Sequence, residues 1–448
     1  MLRRLAVFTG GFSAAAAGNV AAPGALLPEV FGVLASLVNK SLLTRTGDRF
    51  SLLETVRAYA TARLAEDPVD EAATRRRHAD FFVALAVQAD SALHGREQNR
   101  WLAQLELEHD NLRAALDWSL HSEDVALALR LVAALAWFWY VHSYLDEGCR
   151  WAARVLNCAA RGPDDLRARA MVGAALLHEN RGAYETAEAL LHDALPLARA
   201  AADEVLVGWC LTVHGLVARN KGEYERAAAR LAAALAISRV RGERWMLEVG
   251  VLWLASVERY RGNTARALQL FDEALAAGRG LGDRLIMARV LAHLAGMLSD
   301  AGDPARAQPL AEECRGIRQE AGSRWTEGIG LVTLGIALLR QDQLDPAEDV
   351  LQQAFDVFRE LGDGARVAYA LNALAHVAYG RGEYARSAHL LGAAHAVRAR
   401  QGEAQTTGLV LAGSFSRAIE ALSERGFEAA FATGNALSPG EMLALVRP

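Results

Sequence analysis

The sequence predicts an all-α protein, a right-handed solenoid of helical hairpins of about 40 residues each, preceded by a small N-terminal module with a short β-hairpin. Three observations predict this fold. Glycines recur at one fixed interval, a second glycine series runs midway between them, and small residues follow the first series at a fixed distance. A fixed period of this length is typical of arrays in which each repeat buries its apolar flank against the next.

The length and composition of the chain agree with such an array. Its 448 residues exceed what one hydrophobic core normally holds, and 52% of them are hydrophobic against 23% charged. The formal net charge of -5 gives no concentrated basic surface for nucleic acid. We therefore expect a folded chain that does not bind nucleic acid directly.

Each repeat contains two turns. The first glycine series consists of Gly182, Gly222, Gly262, Gly302 and Gly382, with Asp342 in the one remaining place. The second series consists of Gly242, Gly282, Gly322, Gly362 and Gly402. Two turns in each period predict two helices in each repeat.

Small and apolar residues keep the same phase on the second helix of each repeat. The small residues are Ala187, Ala227, Ala267, Ala307, Ala347 and Ser387. Four and seven positions later come further sites that are mostly Leu and Ala, respectively. Spacing of i, i+4 and i+7 predicts one buried helical stripe, and the small residues predict close approach of neighbouring helices.

Two Asp-Pro pairs mark expected helix starts. Asp303 and Asp345 each precede a proline, which suits a capping carboxylate before the first helical residue. Glu348 lies three positions after Asp345, so we expect a capping box there.

The strings GAYETA, GEYERA and GEYARS, which begin at Gly182, Gly222 and Gly382, resemble the tetratricopeptide (TPR) box G-x-Y-x-x-A. This resemblance implies a TPR-like α-solenoid whose repeat is longer than the usual TPR unit of about 34 residues. A HEAT-like array has a similar period but lacks this box.

The N-terminal segment over 1–68 reads as two helices, a helix over 27–39, a hairpin turning at Gly47-Asp48 and a closing helix from Glu54. These elements make a partial winged helix. The helix over 27–39 contains only one charged residue, Glu29. We therefore expect it to pack against a neighbouring module rather than to read DNA.

Long helices are expected next, over 72–93, 97–120 and 125–140. The strings LELEHDNLRAALDWSL and GCRWAARVL resemble helices that precede such arrays in large ATP-dependent bacterial regulators. With the N-terminal module and the C-terminal string RGFEAAFATGNALSPGEMLALV, they resemble the winged-helix and MalT-like TPR sensor regions of NB-ARC/STAND ATPases and LuxR/AfsR-type transcriptional regulators.

From this resemblance we expect four segments: a winged-helix-like module over 1–68, a helical connector with the first hairpins over 69–160, the TPR-like array over 161–424 and a capping tail over 425–448. The sequence contains no GxxxxGK[ST] phosphate loop, and no DNA-reading helix-turn-helix is expected after Pro448. We expect no ATP hydrolysis by this chain alone.

No catalytic, cofactor-binding or metal-binding residues are predicted. The 12 histidines are scattered, and no HExxH or GxSxG motif occurs. The aromatic run Trp137, Phe138, Trp139, Tyr140 and Tyr144 is compatible with a ligand pocket, but aromatics at helical spacing more often belong to a core.

The location of the chain is predicted from cysteines and apolar runs. Four irregularly spaced cysteines suit reduced thiols in the cytoplasm. Gly10 and Gly11 shorten the N-terminal apolar run below what a secretory signal needs, and the run from Leu131 to Val141 is too short to span a bilayer.

The predicted binding surface is the concave groove, which the first helix of each repeat lines. Its expected contact residues are Trp209, Arg219, Asn220, Arg259, Tyr260, Arg289, His293, Asn372, His376 and Tyr379. Arginines and aromatics are the residue types that anchor interfaces. We therefore predict a non-catalytic regulatory sensor or scaffold that binds a protein segment or small effector, with an ATPase or DNA-binding module as a further partner. The alternative is a transcriptional regulator that binds DNA through its N-terminal winged helix.

Overall fold

A computed structural model describes residues 1–122, 124–159, 162–320, 324–400 and 422–447. Its contacts divide the chain into two compact units. The first unit comprises Met1–Tyr140 and Tyr144–Cys210, and the second comprises Val141–Ser143 and Leu211–Pro448.

The N-terminal module is a winged helix with a three-stranded antiparallel sheet of order β1-β3-β2. Its elements are α1 (Leu2–Leu5), β1 (Phe12–Ser13), α2 (Ala14–Ala21), α3 (Leu27–Asn39), β2 (Leu43–Thr46), β3 (Arg49–Leu52) and α4 (Glu54–Ala65). The predicted helix over 27–39, the hairpin and the start of α4 are confirmed. Strand β1 was not expected, because so short a strand cannot show an alternating pattern. It pairs Phe12 with Phe50, which places two buried rings side by side.

The connector contains α5 (Pro68–Ala92), α6 (Gln98–Leu107) and α7 (His109–His121). The prediction of one helix over 97–120 is wrong, because the backbone leaves the helical conformation at Glu108. The Glu108 side chain is buried and binds Arg49 of β3 at 2.5 Å. It also accepts a hydrogen bond from Asn111, whose Nδ2 donates as well to the carbonyl of Gly11 at 2.7 Å. A buried carboxylate thus joins the winged helix to the connector.

The repeat region alternates first and second helices of 14 to 18 residues. The first helices are α8 (Val125–Val141), α10 (Asp164–Asn180), α12 (Glu204–Asn220), α14 (Arg244–Tyr260), α16 (Arg284–Asp300), α18 (Arg324–Leu339) and α20 (Gly364–Gly380). The second helices are α9 (Leu145–Cys158), α11 (Tyr184–Ala200), α13 (Tyr224–Arg241), α15 (Thr264–Leu281), α17 (Pro304–Glu320), α19 (Leu344–Glu360) and α21 (Tyr384–Arg400).

The predicted turns are confirmed by their backbone conformation. All five glycines of the first series have φ between 78° and 82°, and Asp342 has φ of 60° in the same place. In the second series Gly242, Gly282 and Gly362 also have positive φ, while Gly322 and Gly402 lie outside the described residues. The turn therefore demands the left-handed conformation, which glycine adopts without strain.

The predicted stripe of small residues is buried in every repeat. Ala187, Ala227, Ala267, Ala307 and Ala347 are all 0% exposed, and Ser387 is 2% exposed. First helices supply glycines that meet this stripe: a Cβ on Gly215 would lie 2.7 Å from Leu231 of α13. The repeats thus pack through close helix contacts that leave no room for larger side chains.

Within the second unit, successive first helices pack directly on one another: α14 on α16, α16 on α18 and α18 on α20. Each second helix packs on the first helices next to it in the chain. The first helices α14, α16, α18 and α20 therefore share one continuous surface. Arg219 of α12 contacts Trp253 of α14, so we include α12 from Leu211 onward and call the whole the first-helix face.

One of the two expected helix caps is present. The Asp303 carboxylate accepts a hydrogen bond from the Arg306 backbone N–H at 3.3 Å. The capping box predicted at Asp345 and Glu348 is wrong, because α19 begins at Leu344, before Asp345. Both carboxylates instead bind Arg381, and Glu348 also binds Arg386 at 2.7 Å. Ion pairing across repeats has replaced local capping at this position.

Among the residues that the structure describes after Arg400, two helices occur, α22 (Glu424–Asn435) and α23 (Pro439–Val446). Helix α22 packs on α21, where Gly392 and Gly434 allow the two backbones to approach closely. Val446 is fully buried, and its carbonyl accepts a hydrogen bond from Gln352 of α19 at 2.8 Å. In the part of the chain that the structure describes, no helix is long and apolar enough to cross a membrane.

Candidate functional site

The predicted groove residues all lie on first helices. Trp209, Arg219 and Asn220 are on α12, Arg259 and Tyr260 on α14, Arg289 and His293 on α16, and Asn372, His376 and Tyr379 on α20. Trp209 belongs to the first unit and the other nine residues to the second.

The second unit brings two of the predicted arginines onto one indole ring. The guanidinium carbon of Arg219 lies 4.4 Å from the ring centroid of Trp253, and that of Arg289 lies 5.2 Å from the same centroid. Both distances are typical of cation–π contacts. Trp253 is 8% exposed, so the two cations and the protein cover most of its surface.

His293 completes what we call the Trp253 cluster, which consists of Arg219, Trp253, Arg289 and His293. The His293 ring meets Trp253 edge-on, with centroids 5.9 Å apart. It also stacks on Phe271 of α15 at 5.7 Å with an interplanar angle of 13°. His293 thereby links the cluster to the buried core between α15 and α16.

Sequence reasoning missed Trp253, the residue at the centre of this cluster. It lies on α14, 40 residues before His293, and so occupies the same place in its own repeat. His293 was among the expected contacts, so the period itself could have identified Trp253.

Neighbouring side chains hold the arginines of this region in place. The Oδ1 of Asn220 accepts hydrogen bonds from Nε and Nη2 of Arg219 at 3.0 and 2.7 Å. Arg259 of α14 extends over α16, where its Nη1 lies 3.3 Å from the position that a Cβ on Gly296 would occupy. Gly296 therefore leaves space for the third arginine.

Few carboxylates accompany these cations. From Leu211 to the end of α12 there are none, and α14 contains only Glu248 and Glu258. Glu248 is fully buried, and Glu258 accepts hydrogen bonds from Arg261 and Asn263 in the turn after α14. The only carboxylate on helix α16 belongs to its last residue, Asp300. The first-helix face over α12, α14 and α16 is therefore rich in positive charge.

The remaining predicted contacts of the second unit do not join the cluster. Tyr260 stacks on Tyr224, the first residue of α13, with centroids 5.4 Å apart. On α20, Asn372 is buried, and Tyr379 packs against Tyr384 at 5.3 Å. Burial, with the charge of Arg340 nearby, lowers the pKa of His376 to about 4. These residues lie in turns or two repeats further along the array.

Trp209 is part of a separate aromatic group in the first unit. Its ring lies 6.4 Å from that of Trp137, which stacks on Tyr140 at 4.9 Å. The aromatic run at 137–140 is core, as expected: Phe138 and Trp139 are 0% and 1% exposed, and Trp137 and Tyr140 are also buried.

Among the residues that the structure describes, no three His, Cys, Asp or Glu side chains are arranged to hold a metal ion. None of the four cysteines forms a disulfide, and Cys158 alone among them is exposed.

The helix of the winged helix that would enter DNA, α3, has an apolar surface. Leu27, Phe31 and Val33 are 49%, 44% and 42% exposed, while Val30 and Leu34 face the core. The only charged side chain on α3 is Glu29, which binds the Leu26 backbone N–H. This surface lacks the cations that phosphate contacts require.

Three family models match parts of the sequence. A tetratricopeptide repeat model matches residues 248–320, and a winged helix-turn-helix model matches residues 1–65. The chain contains TPRs and a winged helix-turn-helix domain. A model of anaphase-promoting complex subunit 5 matches residues 167–215 and 332–420.

Curated relatives share part of this chain. Proteins of Mycobacterium bovis and Mycobacterium tuberculosis that are named HTH-type transcriptional regulators are 39% identical to it over 162 residues. The match covers 35% of this chain and 18% of each relative, so the chain matches less than a fifth of the length of these relatives.

Solved structures share the fold. A STAND protein with a TPR sensor from Pyrococcus horikoshii has a TM-score of 0.59 at 17% identity, covering 96% of this chain and 64% of that one. Aspartyl phosphate phosphatase F from Bacillus subtilis has a TM-score of 0.50 at 10% identity, covering 92% and 94%. At these identities the likeness concerns the fold alone.

Proposed function

We propose that this chain is a non-catalytic regulatory sensor or scaffold that binds a protein segment or small effector on the first-helix face. The single observation that carries the proposal is the Trp253 cluster, in which two half-buried arginines and a histidine surround one tryptophan. Trp and Arg are enriched at the energetic centres of interfaces, where oriented side chains lose little entropy on binding. Tetratricopeptide repeats and relatives named as transcriptional regulators support a regulatory role.

The winged helix supplies a second element of the proposal, a relay to an ATPase or DNA-binding partner module. Its hairpin is fixed to the connector through Arg49 and Glu108, so a displacement of the connector would be transmitted to the hairpin. The exposed apolar residues of α3 suit protein packing. Binding of DNA by this domain, the alternative function, would instead need cations on α3.

The binding proposal is tested by reversing charge on the first-helix face. In a pull-down with purified chain, the variant with Arg219, Arg259 and Arg289 all changed to Glu should lose the partners that the wild type recovers. A matched control changes Arg226, Arg266 and Arg306 to Glu, three exposed arginines that occupy one place in successive second helices. Unchanged partner recovery by the first variant, with both variants folded, would refute recognition on this face.

The alternative is tested by gel-shift titration at physiological salt. A DNA-binding winged helix should give sequence-dependent shifts, whereas the proposed sensor should give none.

A further inference from the structure

The C-terminal helix α23 has a small apolar contact with the rest of the second unit. Of the α23 side chains that the structure describes, two are buried, those of Met442 and Val446, which lie one turn apart. Apolar stabilisation grows with the area buried, and an isolated helix of eight residues is unstable in water. The apolar contacts alone therefore hold α23 weakly.

Polar contacts hold the C-terminal end of α23. The last carbonyls of a helix have no partner within it. The Val446 carbonyl accepts hydrogen bonds from Nε2 of Gln352 at 2.8 Å and from Nη2 of Arg386 at 3.4 Å. The Leu445 carbonyl accepts one from Nε of Arg386 at 3.4 Å. The Arg386 cation therefore lies at the negative end of the helix dipole, where it stabilises the docked helix.

The residues that hold α23 come from two successive repeats. Arg447, directly after α23, forms an ion pair with Asp356 of α19. Gln352 and Asp356 are four residues apart and so lie on one flank of α19, while Arg386 belongs to α21. We call the surface made of Gln352, Asp356 and Arg386 the α23 seat. When α23 occupies this seat, it links the second helices of two repeats.

Earlier repeats leave the equivalent surface uncovered. Arg226, Arg306 and Arg386 occupy the same place in their second helices. The side chains of Arg226 and Arg306 are 53% and 74% exposed, whereas that of Arg386 is 15% exposed. Gln352 corresponds to Glu312 one period earlier, which is exposed. Second helices of this array therefore pack without a cover at these positions, so α19 and α21 do not need α23 in order to fold.

Helix α22 is held independently of the α23 seat. The backbones of α21 and α22 approach closely at Gly392 and Gly434, and the His395 ring contacts that of Phe431 with centroids 5.6 Å apart. Three residues, 436–438, connect α22 to α23. A rotation within this connection would move α23 away while α22 stays on α21.

We propose that α23 is a detachable strap, which occupies the α23 seat in one state of the chain and leaves it in another. Detachment would release α19 and α21 from the link between them. It would also open Gln352 and Asp356 to solvent, as Glu312 is in the preceding repeat. This inference goes beyond the proposed function and does not depend on binding at the first-helix face.

Hydrogen exchange of the full chain, followed by mass spectrometry, tests whether α23 opens alone. In the wild type, the amides of α23 should exchange at least about tenfold faster than those of α21 and α22. Gln352→Glu should accelerate exchange in α23 at least about tenfold further, because a carboxylate would replace the amide that donates to the Val446 carbonyl. The control Gln353→Glu places the same charge on the exposed neighbouring residue and should change nothing.

A peptide that copies residues 437–448 tests whether the seat recognises this helix. Val446→Asp in the full chain should empty the seat, since an aspartate there would be buried without a partner. The fluorescently labelled peptide should then bind this variant at least about tenfold more tightly than it binds the wild type, as measured by anisotropy. The same peptide with Val446→Asp should not bind, and adding Gln352→Glu to the variant chain should abolish binding.

Two results would overturn the inference. Equal exchange rates in α21, α22 and α23 would show that α23 opens only together with the end of the array. Failure of the peptide to bind a folded Val446→Asp chain would show that the seat does not recognise the helix. Because wild-type exchange needs no substitution, a variant that fails to fold would still leave the inference testable. A loss of binding at the first-helix face would not change either result.

Discussion

Arg49 of the winged helix and Glu108 of the connector form an ion pair although they lie in different segments of the chain, with 2.5 Å between Nη1 and Oε1. Glu108 is buried at the point where α6 ends and α7 begins. Arg49 also donates hydrogen bonds to the carbonyls of Gly11 and Leu107. One arginine therefore satisfies acceptors from both sides of this junction.

Arg49→Ala should loosen the junction between the winged helix and the connector. Removing the cation leaves the Glu108 carboxylate buried with fewer partners, which we expect to cost about 2 kcal/mol of stability. Faster amide hydrogen exchange in β3 and at the α6–α7 junction would show the effect. Arg57→Ala is the control, because Arg57 binds the exposed Glu54 on the surface of α4. Equal exchange in both variants would contradict the prediction.

Ala227→Arg should destabilise the repeat array by about 3 kcal/mol or more, because a long cation would be forced into a packed helix interface. Ala227 is fully buried where Gly215 and Leu231 meet. Denaturant unfolding followed by circular dichroism measures the loss. Ala232→Arg, at an exposed position of the same helix, should change stability little. An Ala227→Arg variant as stable as the wild type would refute the assigned packing.

Glu248 should make stability decrease as the pH rises. Burial and the nearby Asp283 raise the pKa of Glu248 to about 8, and neither carboxylate oxygen has a hydrogen-bond partner among the described residues. The unfolded chain has the ordinary pKa of about 4.3, so between these values the folded state holds a proton that unfolding releases. Stability should therefore fall from about pH 4.3 to about pH 8.

Glu248→Gln tests this dependence, because the amide cannot ionise. Relative to the wild type, the variant should gain at least about 1 kcal/mol in unfolding free energy between about pH 5 and about pH 8. Glu273→Gln, on the exposed side of α15, is the control. Parallel pH profiles for the wild type and Glu248→Gln would show that Glu248 does not hold a proton in the fold.

Asp342 offers a test of the turn geometry. Its φ of 60° is unfavourable for most side chains, so Asp342→Gly should be more stable than Asp342→Val by about 1 kcal/mol or more. At Asp349, an exposed position inside α19, the order should reverse because Val is a better helix former than Gly. Urea unfolding of the four variants measures both differences, and the same order at both positions would contradict the turn assignment.

The repeat period in the sequence predicted much of this fold. Turn glycines and buried alanines repeat because backbone conformation and helix spacing allow few substitutes, so Asp342 was placed correctly although it is not glycine. The break at Glu108 was not predicted, since its cause is a contact with Arg49, which is distant in sequence. Asp345 and Glu348 matched a local capping pattern, but pairing with Arg381 and Arg386 outweighed it.

The candidate site was predicted only in part. Counting from the glycines placed Arg219, Arg289 and His293 on first helices, because their positions follow from the period. Trp253 was missed because an indole amid apolar residues reads as ordinary core. That both arginines stack on it depends on side-chain directions from three helices, which periodicity alone does not specify.

The cluster draws its members from α12, α14 and α16, which are three successive first helices. A ligand that contacts both Arg219 and Arg289 would span two inter-repeat junctions, between α12 and α14 and between α14 and α16. Binding of this ligand would restrict the movement of these three helices relative to one another, and its release would restore that movement. Binding on the first-helix face would then change the rigidity of the array, and a module that contacts either end of the array would respond to that change.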